Sequence, residues 1–211
     1  MIKLLSISAS PTTESSTDLL LGRIAEAFVA ESGDNKVERT VVKLNDLFFT
    51  PCQACGEAPM PKFCFYDDDL TQVFTRLADC DVLLFGSPIF FDSVSGQAKS
   101  FIDRCNCFRP PDYDGTQSER WFVKILSRKR PGVMVLVGGR DGWFEGARRV
   151  VAGFFKWVEV TNEGSLMFRS DDFNRVGTAI DDPQVMLEAA DIGRRLAIQV
   201  IDSTAPDDGT A

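Results

Sequence analysis

The chain contains no histidine. Without an imidazole, Ser–His–Asp and Cys–His catalysis are excluded, as are H-E-x-x-H zinc sites and histidine-held haem. Any chemistry must come from a cofactor, from cysteines, or from carboxylates and hydroxyls. Positive charge is also scarce. The 23 Lys and Arg against 31 Asp and Glu leave a net charge of −8, which argues against nucleic acid or an anionic membrane as partner. No apolar run is long enough to cross a bilayer. The start lacks a basic stretch, an apolar run and a small-residue cleavage site in series, so no signal peptide is expected. Neither G-x-x-x-x-G-K-[ST] nor G-x-G-x-x-G occurs, which disfavours a nucleoside triphosphate or a dinucleotide pyrophosphate. These absences point to a cytoplasmic protein. There, six cysteines stay thiols, bind metal or do redox work rather than form structural bridges.

The 211 residues suit one domain and can bury a sizeable core without staples. We expect residues 1–202 to form that domain and residues 203–211, a polar run, to be a disordered tail. Ile2, Leu4, Leu5 and Ile7 read as a buried first strand, and Leu19, Leu20, Ile24, Ala27 and Phe28 fit one face of a helix. Val37–Lys43 is rich in β-branched residues and predicts a second strand. A long connection, Leu44 to Tyr66, follows. Asp67 or Asp68 caps a helix whose apolar face is Leu70, Val73, Phe74 and Leu77. Val82 to Phe85 is a continuous apolar run typical of a doubly covered parallel strand, ended by Gly86-Ser87-Pro88. A helix then starts at Ser93 or Ser95, with Val94, Ala98, Phe101, Ile102 and Cys105 inward. Arg109 to Gln117 is a Pro-rich loop. Val133–Val137 is a fourth strand closed by Gly138-Gly139, Trp143–Trp157 a helix, and Ser165–Phe168 a short fifth strand. Asp182 and Pro183 open a last helix to about Ile201.

This alternation predicts an α/β fold, a doubly wound five-stranded parallel sheet with helices on both faces. Right-handed crossovers place the loops after strands one, three and four at one edge, near the topological switch point. Those loops are Ser8–Thr17, Ser87–Ser95 and Gly138–Trp143.

The first of them, S-A-S-P-T-T-E-S-S-T, joins a strand end to a helix start and is crowded with hydroxyls: Ser10, Thr12, Thr13, Ser15, Ser16 and Thr17. Free N–H groups and the positive end of the helix dipole lie at such a start. Together they suit a phosphate monoester without a lysine or arginine. The simpler alternative is that Ser15 or Ser16 merely caps the helix. The second loop offers a rigid apolar turn at Pro88 and Ile89 and aromatic surface at Phe90 and Phe91, features that match a flat, mostly apolar ring. A strand-end turn with core aromatics has the same composition.

These motifs, in this order, resemble the flavodoxin-like NAD(P)H-dependent FMN reductases, and within them the branch that includes iron–sulfur flavoproteins. The first loop looks like that family's phosphate loop, usually G-S-P-R-x-x-S-N-T. Gly86 to Arg104, G-S-P-I-F-F-D-S-V-S-G-Q-A-K-S-F-I-D-R, matches the family's S-P-x-Y-x-x-S-x-S-G-x-x-K-x-x-x-D-R. Gly138 to Gly142 looks like its third, glycine-rich loop. The similarity runs from the start to about Glu145. It implies an FMN-dependent oxidoreductase that passes reducing equivalents from NAD(P)H to a small acceptor such as a flavin or quinone. The chemistry would lie on flavin N5, with no catalytic side chain required.

It further implies that Ser8, Ser10, Thr12, Ser15, Ser16 and Thr17 surround the phosphate. Pro88, Ile89, Phe90, Phe91, Asp92 and Ser93 would hold one side of the ring, and Gly138, Gly139 and Arg140 the other. Thr12, Ser16 and Phe90 stand where the family commonly has arginine, asparagine and tyrosine. Lys99, Asp103 and Arg104 lie at helical spacing and read as a solvated face or subunit contacts. A homo-oligomer is implied, with Trp121, Phe122, Phe154, Phe155 and Trp157 as candidate contact residues.

Cys52-x-x-Cys55 followed by Cys64 resembles the compact cysteine motif of the iron–sulfur branch, C-x-x-C-x-x-C and then a fourth cysteine. Ala58 occupies the third place. A four-iron cluster normally takes four thiolates, and Cys105 or Cys107 is a candidate fourth. Zinc, a redox dithiol at Cys52 and Cys55, or plain thiols are the alternatives. Cys80, just before a buried strand, reads as core. Two other functions stay open at this point: an electron carrier to a redox protein partner, and a binding module that keeps the fold with a metal-held loop.

Overall fold

The computed structural model describes residues 1–112, 122–172 and 174–204. Its strands are β1 (Ile2–Ser8), β2 (Val37–Lys43), β3 (Val82–Phe90), β4 (Ser93–Val94), β5 (Arg130–Gly139) and β6 (Val160–Ser170). The helices are α1 (Ser16–Ser32), α2 (Leu70–Asp79), α3 (Gly96–Arg104), α4 (Glu145–Trp157) and α5 (Pro183–Thr204). Five strands run parallel in the order β2-β1-β3-β5-β6, and β4 pairs antiparallel with the end of β3. This is the flavodoxin-like fold, with one short strand more than the five expected. The order reverses between β1 and β3, and ligands of such sheets bind at the carboxyl ends beside that point.

Alternation along the strands decides which helix packs where. Leu4, Val82, Leu84, Val133, Val135 and Leu166 form one core with α1 and α5. Leu5, Ile7, Leu83, Phe85, Met134 and Leu136 form the other with α2, α3 and α4. Gly193 lets α5 lie directly on α1, since a Cβ there would sit 2.2 Å from the Ile24 carbonyl oxygen. Gly86 does the same for α1 over β3: its Cβ would meet Thr17 and Leu21, both at 2.7 Å.

Several boundaries differ from the sequence expectation. β3 does not end at Gly86 but runs on to Phe90, with Ser87 and Pro88 paired to Leu136 and Val137 of β5. The neighbouring β1 makes its last pair with β3 at Ser8 and Gly86. β1 therefore no longer pairs with β3 at Ser87 and Pro88, where a proline's missing donor is tolerated, and β4 pairs with the next residues, Ile89 and Phe90. β5 starts at Arg130 rather than Val133, and β6 spans Val160–Ser170 rather than four residues. The last helix includes Ser203 and Thr204, so the expected tail begins helical; its residues 205–211 lie outside the described residues. Phe154 and Phe155 are core, packed among Phe85 and Phe101, and present no surface for a subunit contact. Trp121 lies outside the described residues. Arg104 is not on a solvated face: it is buried, while Lys99 and Asp103 pair at the surface.

Candidate functional site

The turn from β1 into α1 is held by its own side chains. Ser15 is the N-cap of α1, accepting from the Asp18 amide at 3.2 Å, while Asp18 accepts from the Ser15 amide at 3.2 Å. This reciprocal box satisfies two of the donors that a helix start leaves free. Asp18 also accepts the Ser8 hydroxyl, and Lys43 of β2 pairs with Asp18 and donates to the Thr12 carbonyl at 2.6 Å. Ser8 is therefore committed to the loop's internal frame. The amides of Ser16 and Thr17, the first two of α1, donate to no described residue, which leaves the positive end of the helix open to an anion.

Ser10, Thr12, Ser15, Ser16 and Thr17 line one cleft of about 230 Å³ together with Pro88, Ile89 and Phe90 from β3 and Gly138 and Gly139 from β5. The three strand ends foreseen from sequence thus converge on a single concavity. Ser8, Phe91, Asp92, Ser93 and Arg140 do not line it. Phe91 and Asp92 are the two turn residues between β3 and β4, both in the left-handed region at φ 51° and 57°. Such a turn suits a hairpin's twist, though glycine or asparagine usually supplies it. The turn is fixed from outside: Asp92 accepts the Trp143 amide at 3.1 Å, and its carbonyl lies so close to Gly146 that a Cβ there would be 2.1 Å away. Phe91 and Trp143, which do not line the cleft, are exposed. Gly138 is small for Phe144, which a Cβ would meet at 3.1 Å, and Gly142 makes a tight turn back to Gly139.

One wall was missed in the sequence. Ser170, the last residue of β6, and Asp172, Arg175, Val176, Gly177 and Thr178 beyond it close the cleft on the side of the loop between β1 and α1. Ser16 accepts the Ala179 amide at 3.1 Å, and Thr178 and Ser170 share a hydroxyl contact at 2.9 Å. Gly177 adopts φ +72°, and a Cβ there would sit 2.7 Å from the Glu14 carbonyl oxygen. Arg175 brings a cation to the cleft and pairs with Asp181 at 2.6 Å. The signal was Gly177-Thr178 ahead of the Asp182-Pro183 helix start, a turn that had to return over the same sheet edge.

A second cavity, about 300 Å³, lies on the α3 side. Cys52, Cys55 and Cys64 line it, and so does Cys107 from the turn after α3; Cys105 does not. Arg104 anchors the loop. It donates to both oxygens of Asp68, at 2.7 and 3.2 Å, and to the Thr50 carbonyl, while Asp68 accepts the Thr50 amide at 3.2 Å. Cys80 is buried core and donates to the Leu77 carbonyl. Burial, and then the nearby Cys64, push the Cys107 thiol well above the ordinary range. Burial also pushes the Cys105 thiol well up, and raises that of Cys80. Among the described residues, no three Cys, Asp or Glu side chains are placed to grip one metal ion.

Residues 2–168 match the family model of NADPH-dependent FMN reductase. The chain belongs to that family. It is 32% identical over 155 residues to an iron-sulfur flavoprotein of Methanocaldococcus jannaschii, an overlap of 73% of this chain and 72% of that one. It is 21% identical over 159 residues to the iron-sulfur flavoprotein of Methanosarcina thermophila, covering 75% and 74%. Among solved structures it resembles an apo NADH:FMN oxidoreductase, with a TM-score of 0.61, 14% identity, and coverage of 94% and 90%. The protein is accordingly an FMN-dependent oxidoreductase. This agrees with the resemblance read from the loops and answers the absent histidine, because the cofactor carries the chemistry. The family match stops at Phe168, short of Ser170, Asp172 and the residues from Arg175 to Thr178 that close the cleft. Among the described residues, no helix is long and apolar enough to cross a membrane.

Proposed function

We propose that FMN lies in the cleft at the carboxyl ends of β1, β3 and β5, and that electrons pass from NADPH or NADH to a small acceptor there. The observation that carries the assignment is the pair of open amides at Ser16 and Thr17, set in a hydroxyl-lined wall and facing an apolar wall of Pro88, Ile89 and Phe90. When bound, FMN supplies the hydride-accepting and electron-donating chemistry. The protein's part is to hold and shape. Ser10, Ser15, Ser16 and Thr17 take the phosphate, and Lys43 neutralises Asp18 so that no net negative charge opposes it. Pro88, Ile89 and Phe90 cover one ring edge and keep water from it. Gly138 and Gly139 bring backbone to the other. Exposed Phe90, Phe91 and Trp143 supply stacking surface for an aromatic acceptor or a second copy of the chain, and a homo-oligomer is part of this reading. So is a cytoplasmic setting, in which the free cysteines remain reduced.

Ser10→Asp places a carboxylate in the cradle. FMN affinity is expected to fall at least tenfold while riboflavin, which lacks the phosphate, binds as before. Equal affinity of both proteins for FMN in a fluorescence titration would refute the assignment of this loop.

A second reading is an electron carrier in which a cluster relays electrons to a protein partner. Four cysteines on one cavity wall favour it. Rapid NADPH oxidation by cluster-free protein would count against it.

A further inference from the structure

Asp92 belongs to the stretch that resembles the family's ring loop, yet it does not line the cleft. Its carboxylate instead accepts the Trp143 amide at 3.1 Å, in the loop that follows β5. Its backbone packs on the start of α4, against Gly146. The turn that places it there is strained. Phe91 and Asp92 have φ of 51° and 57°, a region that an aspartate tolerates and a bulky phenylalanine disfavours. The Phe91 side chain is fully exposed, so its own packing does not hold it in place. Strain of this kind persists where the surroundings over-determine the backbone, and it clusters where a ligand is gripped.

The loop after β5 is held from its other side by Arg169 of β6. One guanidinium nitrogen, Nη1, donates to the Arg140 carbonyl at 2.9 Å and to the Gly142 carbonyl at 2.6 Å. The guanidinium carbon lies 4.6 Å from the centroid of the Phe144 ring, the ring for which Gly138 leaves room. The partners of Arg169 are thus two carbonyls and a ring rather than a carboxylate. Within the loop, the Gly142 amide donates to the Gly139 carbonyl at 3.1 Å. Backbone groups at 140, 142 and 143 are therefore each taken by a side chain that does not line the cleft. The consequence falls on the cleft itself. A Cβ at Gly138 would lie 3.5 Å from Ile89, so the walls contributed by β3 and β5 meet there.

We propose that Asp92 and Arg169 are positioning residues for the flavin ring, acting through the loop that carries Gly138 and Gly139. Asp92 couples this loop to the turn between β3 and β4. The wall of Ile89 and Phe90 and the wall of glycines then keep one spacing before FMN arrives, and less ordering remains to be done on binding. Arg169 fixes the carbonyls of the same loop and sets a positive charge behind the glycine wall. That charge favours the reduced flavin, whose ring is more negative than the oxidised one. Arg169 directly follows the last residue of the family match. The inference rests on the assignment of FMN to this cleft, and adds to it two residues outside the cleft that set how the ring is held.

The test compares full-length wild type with Asp92→Ala, Asp92→Asn, Arg169→Met and Ser10→Asp. Oxidised and reduced FMN, and riboflavin, are titrated into flavin-free protein, and the potential of bound FMN is measured. Asp92→Ala should weaken FMN and riboflavin alike, about fivefold for one lost hydrogen bond, because both ligands share the ring. Asp92→Asn should restore both, since its amide oxygen still accepts from Trp143. Arg169→Met should weaken reduced FMN about tenfold more than oxidised FMN, which lowers the two-electron potential by about 30 mV. In flavin-free Asp92→Ala, residues 138–146 should exchange amide hydrogens faster while β1 and α1 keep their protection, a readout that needs no bound cofactor and shows that the fold is intact. Unchanged riboflavin affinity and unchanged exchange in Asp92→Ala overturn the positioning role, even where Ser10→Asp still weakens FMN alone and so keeps FMN in the cleft. If Ser10→Asp leaves FMN affinity unchanged, the cleft assignment fails, and this inference with it. Asp92→Asn as weak as Asp92→Ala rejects the hydrogen bond to Trp143 as the coupling. Equal loss of oxidised and reduced FMN in Arg169→Met rejects an effect of its charge on the ring.

Discussion

Arg104 and Asp68 form a two-armed ion pair beneath the cysteine loop, with Nη1 2.7 Å and Nη2 3.2 Å from the two carboxylate oxygens. The Arg104 side chain is 1% exposed and that of Asp68 16%. Its guanidinium lies 5.3 Å from the Tyr66 ring centroid. Asp68 also accepts the amide of Leu70 at the start of α2 and that of Thr50, so one carboxylate joins α2, α3 and the loop between β2 and α2.

Removing Asp68 strands a buried guanidinium. Asp68→Ala should cost roughly 3–5 kcal/mol, the usual range for breaking one side of a buried pair. Arg104→Lys should not be neutral, because an ammonium cannot reach both carboxylate oxygens in the same plane. Urea denaturation followed by circular dichroism measures both. A loss under 1 kcal/mol for Asp68→Ala would mean that water reaches the pair freely.

Arg175 should select for the phosphate rather than for the ring. The first loop has Thr12 where relatives of the family commonly carry arginine, and Arg175 reaches the same cleft from beyond β6. The side chain is 59% exposed and shared with Asp181, so its contribution is modest, about 1 kcal/mol. Arg175→Ala should weaken FMN about fivefold and leave riboflavin unchanged, and the FMN difference should shrink at high salt. If both ligands weaken equally, Arg175 supports the segment rather than contacting the anion.

The sequence made some of this legible for physical reasons. β2 was found to the residue because Val37, Val41 and Val42 announce a strand on their own. The hydroxyl loop was found because a strand end and a helix start bracket it. Other features are decided by contacts that local sequence does not encode. Gly86-Ser87-Pro88 carries every sign of a turn, yet β5 alongside keeps it in the sheet. Arg130, ahead of the Val133–Val137 run that announced the strand, is buried and donates to the Leu77 carbonyl near the end of α2. Cys105 reads as inward on its helix and is in the core, whereas that Cys107 also reaches the cavity is decided by the turn after α3. Ser170, Asp172 and the residues from Arg175 to Thr178 have the composition of any polar loop, and their role comes from Gly177 passing close to Glu14.

Acid should weaken the fold in part through Asp81, which ties the start of β1 to the start of β3. Burial alone would raise its pKa. The hydrogen bonds from Arg128 and from the Lys3 amide, with the charges of Arg128 and Lys3, outweigh burial and hold the carboxyl below its ordinary range. The folded state therefore binds this proton less readily than the unfolded chain does. Its stabilising contribution is complete above the unfolded value, near pH 4, and is lost as the pH falls through the lower folded value. Asp81→Asn should be less stable than wild type at pH 7, and the two melting temperatures should converge as the pH is taken from about 4 towards 2. A constant gap across that interval would show that Asp81 acts through the shape of its hydrogen bonds alone, since an amide oxygen can still accept from Lys3 but cannot attract Arg128 as a charge.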